Sequence, residues 1–213
     1  MIETSLREEK CLIEKGYSLV GGVDEVGRGC LAGPVTAAVV IFPPDLLLEP
    51  IREVVDSKAI SSKKRETLSE LIKNVSLSYS IASASANEID VMGIVPATQL
   101  AMKRAIESSI LEPHYLLVDG LGSLDLKIPC KAIVKGDQIS SSIAAASIIA
   151  KVDRDHKMSL LHEKFPEYAF RSNKGYGTKA HLDALTKIGA SSIHRKTFAP
   201  VATVIKKRGF ASF

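Results

Sequence analysis

GVDEVGRGCLAGPV, residues 22–35, decides the fold reading. It holds the end of one β-rich run, Leu19 to Val26, and the start of another, Val35 to Phe42. Between them GRGCLAGP leaves little room for a helix, because Gly and Pro interrupt one, so two neighbouring strands joined by a glycine-rich loop are predicted. Asp24 and Glu25 interrupt the first strand between Val23 and Val26. An ionised carboxylate in or beside a core is costly unless it is paired or bound to a metal. Consecutive strand residues point to opposite faces, so either the strand is distorted here or one of the two contributes its backbone carbonyl.

Gly27 to Ala32 also fits G-x-G-x-x-A, the weakest form of the dinucleotide fingerprint. That fingerprint needs a helix to open at the glycines, and Gly33-Pro34 followed by the strand-like VTAAVVIF supplies none. What remains is a loop whose exposed N–H groups, with Arg28, suit a phosphate or a sugar hydroxyl.

Outward from this stretch, periodicity predicts an amphipathic helix over Ser5 to Lys15 closed by Gly16, and a helix from Ser61–Ser62 to about Asn74. A strand follows over Val75 to Ala82, then a helix from about Pro96 to Ser109. Tyr115 to Val118 and Ala132 to Val134 read as short strands, and Ile139 to about Met158 as a helix whose small residues pack closely on a sheet. FPEYAFRSNKGYGT reads as a loop, with another helix opening near Thr178. The pattern is an α/β class protein: a mixed sheet with helices on both faces, followed by a helical C-terminal portion.

Two more acidic residues end strand-like runs: Asp119 in LLVDG and Asp137 in IVKGDQ. Each adjoins a glycine and also reads as a turn. Open α/β sheets gather ligands at strand ends, so carboxylates distant in sequence can converge there. With no His or Cys at ligand spacing, an all-oxygen set suits Mg²⁺ or Mn²⁺, and two such ions can clamp an in-line phosphoryl displacement.

The 213 residues carry 28 Lys plus Arg against 24 Asp plus Glu, with 46% hydrophobic residues, which excludes disordered, collagen-like and disulfide-stapled classes. Residues 1–150 hold 15 basic and 19 acidic side chains, residues 151–213 hold 13 and 5, so an acidic body precedes a basic portion suited to a polyanion. Cys11, Cys30 and Cys130 lack metal or disulfide spacing and read as reduced small hydrophobes. No apolar run nears the ~20 residues that span a bilayer, and MIETSLREEK opens with charge where a signal peptide needs an apolar stretch. A cytoplasmic protein that needs no membrane is expected, and nothing calls for more than a monomer.

These residues resemble a known family. GVDEVGRGCLAGPV at 22–35, DSK at 56–58, LLVDG at 116–120, KGDQISSSIAAASIIAKVDRD at 135–155 and NKGYGTKAH at 173–181 run in the order of ribonuclease HII, the type 2 ribonuclease H family. The resemblance implies a ribonuclease H-like mixed β-sheet flanked by helices, with a catalytic domain over 1–160 and a C-terminal basic helical substrate-binding portion over 161–213. It implies four catalytic and metal-holding carboxylates, Asp24, Glu25, Asp119 and Asp137, with two Mg²⁺ or Mn²⁺ ions in the active complex. By it, Gly27, Arg28 and Gly29 form the segment that senses the ribose 2′-hydroxyl, Tyr176 positions substrate and Lys58 contacts phosphate. Lys174, Lys179 and His181 cluster around Tyr176 as an electrostatic rail. Asp153 and Asp155 read as surface partners of Arg154 and Lys157 rather than metal ligands. The implied substrates are RNA/DNA hybrids and duplex DNA with an embedded ribonucleotide, nicked on its 5′ side to leave 3′-hydroxyl and 5′-phosphate ends. Apart from the resemblance, the same carboxylates fit a different two-metal nuclease, and the basic portion fits a non-catalytic nucleic-acid-binding module.

Overall fold

A computed structural model describes residues 5–45, 61–120, 124 and 126–210. Its strands are β1 (Val20–Val26), β2 (Val35–Ile41), β3 (Ser78–Ala84), β4 (Tyr115–Asp119) and β5 (Cys130–Ile133). They form a mixed sheet in the order β3-β2-β1-β4-β5. β1 and β2 pair antiparallel, as adjacent strands joined by a short connection can, whereas β1–β4 and β4–β5 are parallel. Among the described residues the helices are α1 (Arg7–Glu14), α2 (Ser62–Val75), α3 (Ala86–Met92), α4 (Ile94–Glu107), α5 (Ser141–Lys164), α6 (Phe170–Asn173), α7 (Lys179–Ile188) and α8 (Ala199–Phe210). None of these is long and apolar enough to cross a membrane.

Three local readings need correction. The strand expected over Val75 to Ala82 starts at Ser78, because α2 runs through Val75 before the chain extends. α3 was not anticipated; its signal was the capping box, in which the Ser85 hydroxyl accepts from the Glu88 amide and the Glu88 carboxylate accepts from the Ser85 amide. The loop expected over 165–178 contains a 3₁₀ turn at Pro166–Tyr168 and the single turn of α6, set off by left-handed Ala169 and Lys174.

The chain divides into two compact units. Unit 1 comprises 1–26, 36–83 and 99–152; unit 2 comprises 27–35, 84–98 and 153–213. In unit 1 the alanine-rich half of α5, Ala144 to Ala150, packs with Ala38, Val40, Leu68 and Ile72. Small side chains let the helix approach closely: a Cβ on Gly22 of β1 would lie 2.1 Å from the Ser142 carbonyl carbon. In unit 2 the core holds Ala32, Met158, Tyr168 and Phe170, the last two rings stacked at 5.3 Å, beside a second cluster of Leu31, Leu185 and Val201.

Candidate active site

Parallel pairing brings the C-terminal ends of β1 and β4 to the same edge of the sheet. The register partners Val23 with Val118, so the next residue on each strand is Asp24 and Asp119. Asp24 and Glu25 lie past that last registered pair and remain paired only with Ala38 and Ala37 of β2. One side of the strand is thus released from its neighbour, and both carboxylates reach one place although their residues are consecutive. Ligand oxygens of Asp24, Glu25 and Asp119 all fall within 4.8 Å of one another. Glu25 therefore joins the group through its side chain.

The Glu25 amide donates to Asp24 Oδ1 at 2.7 Å, and the Gly136 amide donates to Asp119 Oδ1 at 2.6 Å. Asp24 is 5% exposed. Burial holds its carboxyl well above the ordinary range, the Glu25 and Asp119 charges push it the same way, and a hydrogen bond with Ser147 of α5 opposes them. Three carboxylates drawn together, one almost fully desolvated, fit a hard divalent cation: the donors are all oxygen and their mutual repulsion is what such an ion would relieve. Asp137 lies next to Gly136 in the 3₁₀ turn Gly136–Gln138, half-buried and outside this group of three.

The loop that follows β1 belongs to unit 2 and is fastened by two arginines, both 0% exposed. Arg195 donates from Nη2 to the Gly27 carbonyl and from Nη1 to the Arg28 carbonyl, each at 2.7 Å, and from Nε to the Gly33 carbonyl at 3.1 Å. Arg154 donates to the carbonyls of Pro34, Lys174 and Ala32 at 2.9, 2.9 and 3.3 Å. Burial pushes the Arg195 guanidinium down to about 10, which leaves it charged at neutral pH. Gly27 has φ +92°, and a Cβ there would lie 2.1 Å from Arg154 Nε, so both conformation and space require glycine. Arg28 and Gly29 are exposed, and a Cβ on Gly29 would meet nothing within 4 Å.

Tyr176 is 42% exposed, its phenol pushed up by burial and next by Cys30. Lys179 is exposed at the start of α7. The other members of the expected rail are placed differently. His181 is fully buried, its Nδ1 donating to the Tyr176 carbonyl at 2.8 Å and its Nε2 3.0 Å from His194 Nε2, so it supports the Tyr176 loop from inside instead of meeting phosphate. Lys174 Nζ donates to the Asp155 carbonyl and to Ser159 Oγ, tying its loop to α5. Lys58 falls outside the described residues. Asp153 pairs with Lys157 at 2.7 Å as expected of a helix surface, but Arg154 turns inward.

The two buried arginines that fasten this loop had not been read from the sequence as interior residues. For Arg154 a signal existed: Ala146, Ala150, Arg154 and Met158 recur every four residues, and all are 0% exposed, so the arginine is in phase with the apolar stripe. Arg195 lies in turns without periodicity and gave none.

A family model described as Ribonuclease HII matches residues 21–201. The ribonuclease HII of Desulfitobacterium hafniense strain Y51 is 52% identical over 200 residues, which cover 94% of this chain and 76% of that one. The ribonuclease HII of Acholeplasma laidlawii strain PG-8A is 50% identical over 204 residues, 95% of this chain and 98% of that one. Among solved structures, the ribonuclease H2 of Pyrococcus horikoshii OT3 is similar with a TM-score of 0.76 at 24% identity, over 92% of this chain and 100% of that one.

Proposed function

The chain belongs to the ribonuclease HII family, and from that premise we propose that Asp24, Glu25 and Asp119 hold divalent ions for cutting a nucleic-acid strand 5′ to a ribonucleotide. The family assignment makes the protein a ribonuclease H, a hydrolase acting on RNA in RNA/DNA hybrids, and its mixed five-stranded sheet flanked by helices is the ribonuclease H-like fold. The finer reading adds duplex DNA with a single embedded ribonucleotide as substrate, two Mg²⁺ or Mn²⁺ ions, and 3′-hydroxyl and 5′-phosphate products. The observation that carries it is the meeting of three carboxylates from two strand ends.

When bound, divalent ions supply activation of the attacking water and relief of charge on the departing 3′ oxygen. The protein's own residues do the rest. Asp24, Glu25 and Asp119 offer the oxygens, and Asp137 joins them as a fourth ligand from the turn whose Gly136 amide already binds Asp119. Backbone amides of the Gly27–Gly29 turn meet the 2′-hydroxyl, the group by which RNA differs from DNA at one nucleotide. Arg28 and Lys179 contact phosphate, and half-exposed Tyr176 abuts the adjoining sugar. The basic C-terminal portion adds a salt-sensitive hold on the duplex. This reading calls on no second copy of the chain and no membrane.

The test is cleavage mapping on a duplex with one embedded ribonucleotide, with Mg²⁺ or with chelator. A nick 5′ to the ribonucleotide that chelator removes supports the reading. Cutting of an all-DNA duplex at equal rate would mark a different two-metal nuclease, and binding without any cutting would mark a non-catalytic module.

A further inference from the structure

A trans peptide points its C=O and the following N–H in opposite directions, and no peptide bond among the described residues is cis. Arg195 therefore does more than fasten the loop. With its guanidinium bound to the Gly27 and Arg28 carbonyl oxygens, the N–H groups of Arg28 and Gly29 are turned away from it. Both residues are exposed, and space stands open at Gly29. The arginine is itself fixed: its amide donates to the Leu31 carbonyl at 2.9 Å, its Nε holds the Gly33 carbonyl, and the guanidinium lies 5.1 Å from the Phe198 ring centroid.

We infer that Arg195 is a positioning residue for ribonucleotide discrimination, aiming the Arg28 and Gly29 amides outward as a pair of donors for the 2′-hydroxyl and its neighbouring backbone oxygens. This rests on the reading above that the Gly27–Gly29 turn recognises the ribonucleotide. The residue type follows from geometry. A guanidinium presents fixed, coplanar donors to several carbonyls at once, whereas a lysine ammonium keeps the charge but not the fork. Acting from behind the turn, Arg195 need never touch substrate, which separates it from the phosphate-binding arginines usual in nucleic-acid sites.

The experiment compares Arg195→Lys with the unaltered full chain in Mg²⁺. KM and kcat are measured on the one-ribonucleotide duplex, and the all-DNA duplex of the same sequence serves as competitive inhibitor, giving affinity without the 2′-hydroxyl. The lost alignment should reduce the preference for the ribonucleotide duplex roughly tenfold, about one to two hydrogen bonds' worth, through KM. The inhibition constant of the all-DNA duplex should stay within about twofold. Val201→Ala, a core truncation of the same unit, should lower thermal stability and leave the preference intact. Gly29→Pro, which deletes one of the two amides without touching the arginine, should reduce the preference as well, and Arg195→Gln, which keeps a donor but loses the fork, takes the place of Arg195→Lys if the latter does not fold. Equal loss on both duplexes, or an unchanged preference in Arg195→Lys, overturns the inference and leaves the turn's role standing, whereas an unchanged preference in Gly29→Pro overturns the reading of the turn. If the unaltered chain itself binds both duplexes equally, the reading of the turn falls and this inference with it.

Discussion

The acidic group of unit 1 and the arginine-held turn of unit 2 place charge in a protein interior in opposite ways. In the first, three like charges are drawn together and the most buried, Asp24, is pushed toward its protonated form. In the second, two fully buried cations are each surrounded by three backbone carbonyl oxygens. Each guanidinium nitrogen meets a carbonyl dipole, which leaves the charge in place, so the turn needs no added ion to hold it. The carboxylates repel one another, and a cation bound among them would relieve that repulsion. The region proposed to do chemistry is thus organised around something it must acquire, whereas the region proposed to grip is organised in advance.

This division can be broken most directly at Asp119. Asn in its place keeps the oxygen that accepts from the Gly136 amide and removes the charge. Cleavage of the one-ribonucleotide duplex should fall at least about a thousandfold, about 4 kcal/mol in transition-state terms. Duplex affinity in chelator, read by titration, should change by no more than a few fold, because the grip lies elsewhere. If Asp119→Asn cuts at the original rate, Asp119 is not a ligand; if binding collapses together with cleavage, the separation of the two roles is wrong.

How much of this was legible beforehand depended on whether the signal was local. β1 and β2 were readable because Val23 and Val26 bracket the acids and Gly-Pro punctuation separates the two apolar runs. The meeting of Asp24 with Asp119 was readable in outline, since parallel strands bring their ends to one edge, but not that Glu25 would join by its side chain. That depends on where the β1–β4 register stops. His181 was misread because its neighbours Lys179 and Lys174 are basic, and burial is decided by a partner thirteen residues on, His194, that no spacing rule connects to it.

The histidine pair sharpens the contrast, because it shows how far the gripping unit depends on uncharged interior contacts. His194 Nδ1 accepts from the Ser191 amide at 3.0 Å, and His181 Nδ1 donates to the Tyr176 carbonyl. With both rings neutral, His194 Nε2–H then donates to His181 Nε2, and every ring nitrogen is used. Burial pushes His194 down to about 4 from a usual 6.5, and His181 is lowered by burial too. A base whose folded pKa is depressed leaves the unfolded chain binding more protons, so stability is complete above about 6.5 and is lost as pH falls toward 4. For His194 the loss approaches about 3 kcal/mol at the low end of that window. Thermal melts between pH 7.5 and 4.5 should show this slope, and His194→Gln should flatten it. An identical slope in the variant would assign the acid sensitivity to other groups.

The smallest effect has the opposite sign from what loss of an active-site residue suggests. Asp24 has its carboxyl raised by burial and by like-charged neighbours, so above its unfolded value of 3.8 the folded state carries a charge it would sooner neutralise. Stability contributed by this group therefore declines as pH rises from about 4. Asn removes the burden, and in chelator at pH 7 Asp24→Asn should melt above the unaltered chain. For a chain of this size about 2–4 °C corresponds to each kcal/mol gained. The gap should narrow as pH drops toward 4, where Asp24 takes up its proton. Added Mg²⁺ should raise the melting temperature of the unaltered chain by mass action and that of the variant far less. A variant that melts lower than the unaltered chain in chelator would mean that the Ser147 and Glu25 hydrogen bonds to Asp24 outweigh its repulsions. The acidic group would then be as self-sufficient as the arginine-held turn.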